Sequence, residues 1–138
     1  MTVPVSKKVS PDGEYMRAAL LHWLPECSPL VEELEAAEVE SARDLGLVPQ
    51  EIGIYSLLSE AFVWPVLVPA LERQLPGDPV VVRCAHLLEE LVTSPSSEVR
   101  QAVKIRVIEI LAGSGLPMEE IKKNIGPVTA GLVAASRN

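Results

Sequence analysis

The stretch VRCAHLLEELVTSPSSEVRQAVKIRVIEIL, residues 82–111, contains nearly the same helical pattern twice, with a serine-proline break between the copies. Both copies fit the pattern V-R-x-A-x-x-[LI]-x-x-[LI]. Apolar residues at this spacing form a stripe along one side of an α-helix, and the charged residues fall on the other side. Each helix then needs a neighbour to cover its stripe. We therefore predict that residues 79–112 form an antiparallel helix pair.

In the first copy, the polar side of the predicted helix carries Arg83, His86 and Glu90. The apolar side is broad, because Val81, Val82, Cys84, Ala85, Leu88, Leu91 and Val92 fall on it. We expect the three polar residues to lie together on an exposed edge, and Arg83 and the matching Arg100 to bind carboxylates or carbonyls between helices.

Proline and glycine divide the rest of the chain at regular intervals. Ser10-Pro11, Ser28-Pro29 and Asp78-Pro79 each place proline in the first helical turn after an N-cap residue. The glycines at positions 46, 77, 113 and 126 are placed to end helices. Helices are predicted near residues 11–24, 29–45, 50–63, 66–75, 79–93, 97–112 and 117–125, with a short one after position 127.

Helix starts therefore recur at short, regular spacing, and two-helix units repeat at about the 40-residue period of helical solenoids. We predict an all-α fold of seven or eight helices, arranged as a right-handed array of antiparallel helix pairs. Residues 10–138 are expected to form a single helical domain, and residues 1–9 a flexible lead.

The run LVTSPSSEVRQAVKIRVIEILAG has a small-residue turn, an EVR helix start and an apolar-glutamate ending, and in these it resembles HEAT-type helical repeats. Together with the upstream LLSEAFVWPVLVPALERQL it is similar to a family of small bacterial helical domains of unknown function. The resemblance implies a surface that binds partners rather than a catalytic site. Some similarly sized helical proteins are immunity proteins against secreted toxins, so it also implies a candidate role of that kind.

The composition narrows the classes of partner. Hydrophobic residues make up 48% of the chain and aromatic residues 4%, and the formal net charge is −7. Phosphate-backbone binding depends on Lys and Arg that displace counterions, so this charge argues against nucleic acid. Any charged partner is expected to be basic.

One apolar segment, IGIYSLLSEAFVWPVLVPAL at residues 52–71, is long enough to cross a membrane. Glu60 near its middle and the two prolines at 65 and 69 argue against a span, so a buried central element is predicted. The N-terminal residues have no apolar signal region. We expect a cytoplasmic protein whose two cysteines, Cys27 and Cys84, are buried and reduced.

No motif for catalysis, nucleotide binding or metal binding is complete. The run HLLEE comes one residue short of an H-x-x-E-H zinc helix, because Glu90 replaces the second histidine. His22 and Glu26 could join His86 and Glu90 in a site between helices, but helix-stabilising surface pairs are the simpler interpretation. We expect no enzyme activity, no metal and no cofactor.

The predicted second helix, SPLVEELEAAEVESARDLG, is strongly acidic, while Leu30, Leu34, Ala37 and Leu45 follow its buried stripe. A solvated polar face is the simplest interpretation. The functional interpretation is a docking surface for a basic protein, because negative potential accelerates the association of cations. The predicted partner-binding residues are Glu32, Glu33, Glu35, Glu38, Glu40 and Asp44.

The alternative function is a helical small-molecule binder, as in resistance or sensing proteins. Its apolar pocket would be lined by Ile52, Tyr55, Phe62, Trp64 and Leu67. The two tryptophans, Trp23 and Trp64, are predicted to be large core residues rather than interface anchors, because the chain has few other aromatic side chains.

Overall fold

The computed structural model describes residues 10–138, which form seven helices and no strand. The all-helical prediction is thus confirmed for this part of the chain, and the predicted lead at residues 1–9 lies outside the described residues. A 3₁₀ turn, Pro25–Cys27, joins the first two helices. The helices are α1 Pro11–Trp23, α2 Ser28–Leu45, α3 Ile54–Arg73, α4 Pro79–Val92, α5 97–112, α6 Met118–Asn124 and α7 Pro127–Arg137.

Three helices begin at side-chain caps that the sequence predicts or marks. The hydroxyl of Ser10 accepts a hydrogen bond from the Gly13 N–H at 3.0 Å and starts α1. Asp78 accepts from the Val80 N–H at 2.9 Å at the start of α4. The hydroxyl of Ser96 caps α5 at 3.2 Å. These bonds satisfy backbone donors that have no partner within the helix, which explains why local sequence sets these boundaries.

The two helices predicted at 50–63 and 66–75 are wrong, because one continuous helix, α3, covers Ile54–Arg73. Its turns widen to π-helical geometry over Leu57–Leu67, and the Val68 N–H donates to the Val63 carbonyl five residues back. Pro65 lies within this segment. Proline lacks an N–H and its ring collides with the preceding turn of an α-helix, whereas a wider turn gives the ring room.

The helices surround one cluster of buried apolar side chains to which all seven contribute. α3 supplies much of it, including the fully buried Phe62 and Leu67. By length and composition α3 is also apolar enough to cross a membrane, and 39% of its most apolar window is buried among the other helices. One such helix is weak evidence for a membrane protein, because core helices of soluble proteins have the same composition.

The helix pair that opened the sequence analysis packs together, α4 against α5. The matching positions of the two copies, however, lie in different environments. Val82 is 48% exposed, whereas Val99 is fully buried. Leu88 is buried, whereas Ile105 is 36% exposed. The repeated letters therefore do not place equivalent residues on equivalent faces, and the difference between Val82 and Val99 arises before the π-helical turns of α5, Lys104–Ile108, begin.

The last helix, α7, is attached to α4 by the carboxylate of Glu89. This group accepts hydrogen bonds from the Val128 N–H at 2.9 Å, the Thr129 N–H at 3.0 Å and the Thr129 hydroxyl at 2.6 Å. Burial raises the pKa of Glu89, but these bonds outweigh it and hold the pKa below its usual value. A carboxylate from another helix thus caps α7, which has no side-chain cap of its own.

Candidate functional site

The acidic helix α2 lies at the edge of the core and is covered on one side only. Val31 and Ala42 are its only buried residues. Leu30 and Leu34 pack against the core partly buried, but Ala37 and Leu45 are exposed. The predicted buried stripe is therefore correct at Leu30 and Leu34 and wrong at Ala37 and Leu45, and Ala42 is the buried residue of the second half.

Two of the six predicted partner-binding residues face the protein itself. Glu35 forms an ion pair with Arg17 of α1 at 3.0 Å, and its side chain is 25% exposed. Glu38 accepts a hydrogen bond from the Gln50 N–H at 3.4 Å, which connects α2 to the segment that follows it. Both carboxylates hold α2 in place and are poorly placed to receive a partner.

The other four predicted residues, Glu32, Glu33, Glu40 and Asp44, are exposed. At about 100° per residue, Glu33, Glu40 and Asp44 fall within about 40° of one another around the helix, while Glu32 projects about 100° away. We call Glu33, Glu40 and Asp44 the acidic stripe. Its charges face water along about three turns of one helix, where screening leaves their summed potential effective over roughly 8–10 Å.

Exposed apolar side chains lie at the C-terminal end of the same helix. Leu45 is 70% exposed, Leu47 is 64% exposed and Val48 is 44% exposed. We call these three residues the apolar tip. Gly46, with φ of 68°, turns the chain, and the Leu47 N–H donates to the Ala42 carbonyl at 2.7 Å. This helix-ending bond pattern fixes the apolar tip beside the last turn of α2.

A polar seam joins α1 to α4 around Trp23. The Trp23 indole N–H donates to Glu90 at 3.0 Å, and the Tyr15 hydroxyl donates to the other oxygen of that carboxylate at 3.1 Å. The ring of His86 stacks on Trp23 with centroids 4.9 Å apart. Burial, together with the hydrogen bond and charge of Glu90, raises the pKa of Tyr15. Trp23 thus packs against the apolar core but is only partly buried, and polar partners surround the rest of its ring, so the prediction of a core residue holds only in part.

Arg83 extends the same seam. Its guanidinium donates to both oxygens of Glu26, at 2.5 and 2.7 Å, and to the Trp23 carbonyl at 3.2 Å. The hydrogen bond from Arg83 holds the pKa of Glu26 below its usual value. The expected gathering of Arg83, His86 and Glu90 is therefore present, and Arg83 binds a carboxylate and a carbonyl between helices as anticipated. Each of the three binds Trp23 or a residue next to it in the seam, so together they join α4 to α1 and to the 3₁₀ turn that follows α1.

The four residues considered for a metal site, His22, Glu26, His86 and Glu90, lie in or beside the same seam. His22 contacts Trp23 edge-on and His86 stacks on it, each with centroids 4.9 Å away. Glu26 and Glu90 are bound by Arg83, Tyr15 and Trp23. Within residues 10–138, no three side chains of His, Cys, Asp or Glu are grouped so that they could hold a metal ion.

The two cysteines are unpaired and fully buried, as predicted. Burial, with a smaller contribution from the charge of Glu26, raises the pKa of Cys27 to about 11. Burial raises the pKa of Cys84 to about 12. Neither thiol has the lowered pKa or the exposure of a reactive nucleophile.

The five residues predicted to line a small-molecule pocket lie in different environments. Phe62 and Leu67 are fully buried, whereas Trp64 is 58% exposed on the outside of α3 and is not a core residue. A different groove, of about 400 Å³, lies between the end of α3 and α6. Its lining includes Leu71, Gln74, Leu75, Val81, Leu116, Glu120 and Lys123.

Comparison with known proteins adds no assignment: no family model, no curated protein and no solved structure matches this chain.

Proposed function

We propose that this protein is a non-enzymatic binding module that recognises a basic protein through the acidic stripe of α2. The observation that carries the proposal is the position of Glu33, Glu40 and Asp44: all three are exposed on one side of a helix that is covered only on its other side. Glu35 and Glu38 fasten that covered side, so α2 can present the acidic stripe without itself rearranging.

An inhibitor or immunity-type role, in which the partner is a basic toxin in the cytoplasm, fits this surface and the resemblance to small bacterial helical domains. We also propose that the seven helices form a right-handed HEAT-like array. The support for it is the packing of α4 on α5, while the unequal environments of Val82 and Val99 count against a strict repeat.

The test compares two variants with the same change in net charge. The stripe variant carries Glu33→Lys, Glu40→Lys and Asp44→Lys. The control variant carries Glu60→Lys, Glu72→Lys and Glu109→Lys, three exposed positions on α3 and α5. Association of a Lys-rich, Ala-spaced peptide is measured by stopped flow at low and at high salt. We expect the association rate constant to fall about tenfold in the stripe variant at low salt, and less than about twofold in the control.

Equal slowing in both variants would show that net charge alone attracts the peptide. The acidic stripe would then serve solubility, and the proposal would be wrong. The design leaves Glu35 unchanged, because its reversal would break the pair with Arg17 and disturb the position of α2.

A second candidate function, the binding of a small apolar molecule, is favoured by the groove between α3 and α6. Its volume of about 400 Å³ lies in the usual range for ligand sites, and polar groups of Gln74 and Lys123 border an apolar lining. A thermal-shift panel of hydrophobic ligands tests it. Leu116→Trp, which fills the groove, should abolish any shift, whereas Leu132→Trp, on the exposed side of α7, should leave it unchanged.

A further inference from the structure

The apolar tip belongs to a concentration of exposed apolar side chains that the fold leaves uncovered. Ten large hydrophobic side chains are exposed among the described residues, and four of them, Val39, Leu45, Leu47 and Val48, fall within ten positions. Scattered exposed leucines need no explanation, but grouped ones mark interaction sites. Leu45 and Leu47 are also the two most exposed of the ten.

The geometry of α2 shows why this surface is open. Leu34 and Leu45 are eleven positions apart, so they lie within about 20° of each other around the helix. Leu34 packs against the core, whereas Leu45 is 70% exposed. The apolar stripe of α2 is therefore packed against the core at Leu34 and is exposed to water at Leu45. A second helix laid beside this half of α2 would complete the layer, as helices do elsewhere in the fold.

The charges beside the apolar tip decide what kind of helix fits. Glu40 and Asp44 of the acidic stripe are exposed on the last turns of α2, and only Arg43 there is basic. In a dimer of this chain, those carboxylates would face the same negatively charged carboxylates of the second copy. They would also repel an anionic lipid surface. A helix with lysines and arginines beside its apolar face would meet opposite charge.

We propose that the apolar tip is the docking site for an amphipathic cationic helix of a partner protein. This rests on the proposed function, since the same partner supplies the cations that the acidic stripe attracts. The two surfaces have separate kinetic roles. The acidic stripe accelerates encounter, while Leu45, Leu47 and Val48 are buried only in the docked complex and slow dissociation.

The experiment uses two synthetic 18-residue peptides of the same leucine and lysine composition. In one, the leucines recur at helical spacing on one face; in the other, they are scrambled so that no face forms. The tip variant carries Leu45→Ser, Leu47→Ser and Val48→Ser. The control variant carries Val82→Ser, Val128→Ser and Leu132→Ser, which are exposed elsewhere. The association and dissociation rate constants are measured for each peptide with each form of the protein.

We expect the amphipathic peptide to bind the natural protein at least about tenfold more tightly than the scrambled one. In the tip variant, its dissociation should become about tenfold faster with an association rate within about twofold, and the control variant should match the natural protein. The stripe variant should show the reverse, slower association with little change in dissociation.

Equal affinity for the two peptides, or equal dissociation from the natural protein and the tip variant, would overturn the inference. The proposed function would still stand if the stripe variant associated more slowly. Concentration-dependent dimerisation that the tip variant loses would assign the apolar tip to a second copy and overturn the inference as well. Binding of neither peptide would overturn both proposals.

Discussion

The indole N–H of Trp23 and the carboxylate of Glu90 form a hydrogen bond of 3.0 Å that joins α1 to α4 across 67 positions of sequence. The stacked ring of His86 covers Trp23, and the hydroxyl of Tyr15 binds the same carboxylate. The other tryptophan, Trp64, is 58% exposed on α3. One tryptophan is thus hydrogen-bonded between two helices, and the other is largely exposed to water.

Replacing each tryptophan by phenylalanine should separate these roles. Trp23→Phe removes the indole donor and leaves one oxygen of Glu90 without it, so the free energy of unfolding should fall by about 2 kcal/mol. Trp64→Phe should change it by less than about 0.5 kcal/mol, as at other exposed positions. Urea unfolding followed by circular dichroism measures both. Equal losses would contradict the structural role assigned to the seam.

Because Glu89 caps α7 as a carboxylate, its contribution to the free energy of unfolding should decrease as the pH falls. The folded pKa of Glu89 is depressed, so its contribution is complete above the unfolded pKa and is lost as pH falls through the folded value. Glu89→Ala should lower the free energy of unfolding by about 2 kcal/mol at pH 7. The difference from the natural protein should shrink toward pH 3. A difference that stays constant between pH 7 and pH 3 would show that the carboxylate charge is not involved.

The two glycines of the C-terminal region should respond in opposite directions. A Cβ at position 126 would lie 2.5 Å from the Glu89 side chain, whereas a Cβ at position 131 would meet nothing within 4 Å. Gly126→Ala should therefore destabilise the protein by about 2 kcal/mol. Gly131→Ala, in an exposed part of α7, should stabilise it by about 0.5–1 kcal/mol. Thermal unfolding of the two variants side by side is the measurement, and matching shifts would refute the assignment.

The end of α3 offers a stabilising substitution. Gln74 follows the helix with φ of 52°, a left-handed conformation that glycine adopts without steric cost. Gln74→Gly should raise the free energy of unfolding by about 0.5–1 kcal/mol, because the relief of strain exceeds the added entropy of the unfolded chain. Gly46→Ala at the end of α2, where φ is 68°, is the matched control and should destabilise by a similar amount. A destabilising Gln74→Gly would mean that the side chain of Gln74 makes a compensating contact.

Both cysteines should resist alkylation while the protein is folded. Cys27 and Cys84 are fully buried, and their pKa values are raised to about 11 and about 12. The thiolate is the reactive form, so iodoacetamide at pH 8 should leave both unmodified over hours and should modify both in urea. Mass spectrometry of the intact chain counts the additions. Rapid labelling of either thiol without denaturant would contradict the burial.

Local chemistry made much of this fold predictable. The caps at Ser10, Asp78 and Ser96 depend only on residues a few positions apart, and the helices they begin start where the sequence indicates. The prolines of α3 led to the wrong prediction of two helices, because local sequence does not show how the helix accommodates them. Pro65 breaks an ordinary α-helix, and nothing in the adjacent residues announces the wider turns that accommodate it.

The candidate site was less predictable, because it depends on where α2 lies. All six acidic residues look alike in sequence, yet Arg17 and the Gln50 N–H engage Glu35 and Glu38 and leave the others exposed. The exposure of Leu45 likewise depends on how far the neighbouring helices reach. The bonds of Trp23 and Glu90 join distant segments, and no periodic pattern signals such a pairing.

Neighbouring glutamates of α4 bind opposite ends of the described chain: Glu89 binds the start of α7, and Glu90 binds Tyr15 and Trp23 of α1. A fluctuation that opens this single turn of α4 would release both terminal helices in the same event. The amides of α1 and α7 should then exchange with deuterium at a common rate, as members of one cooperative unit, although more than one hundred positions separate Tyr15 from Thr129. The helices α1 and α7 are therefore expected to unfold together rather than to fray independently.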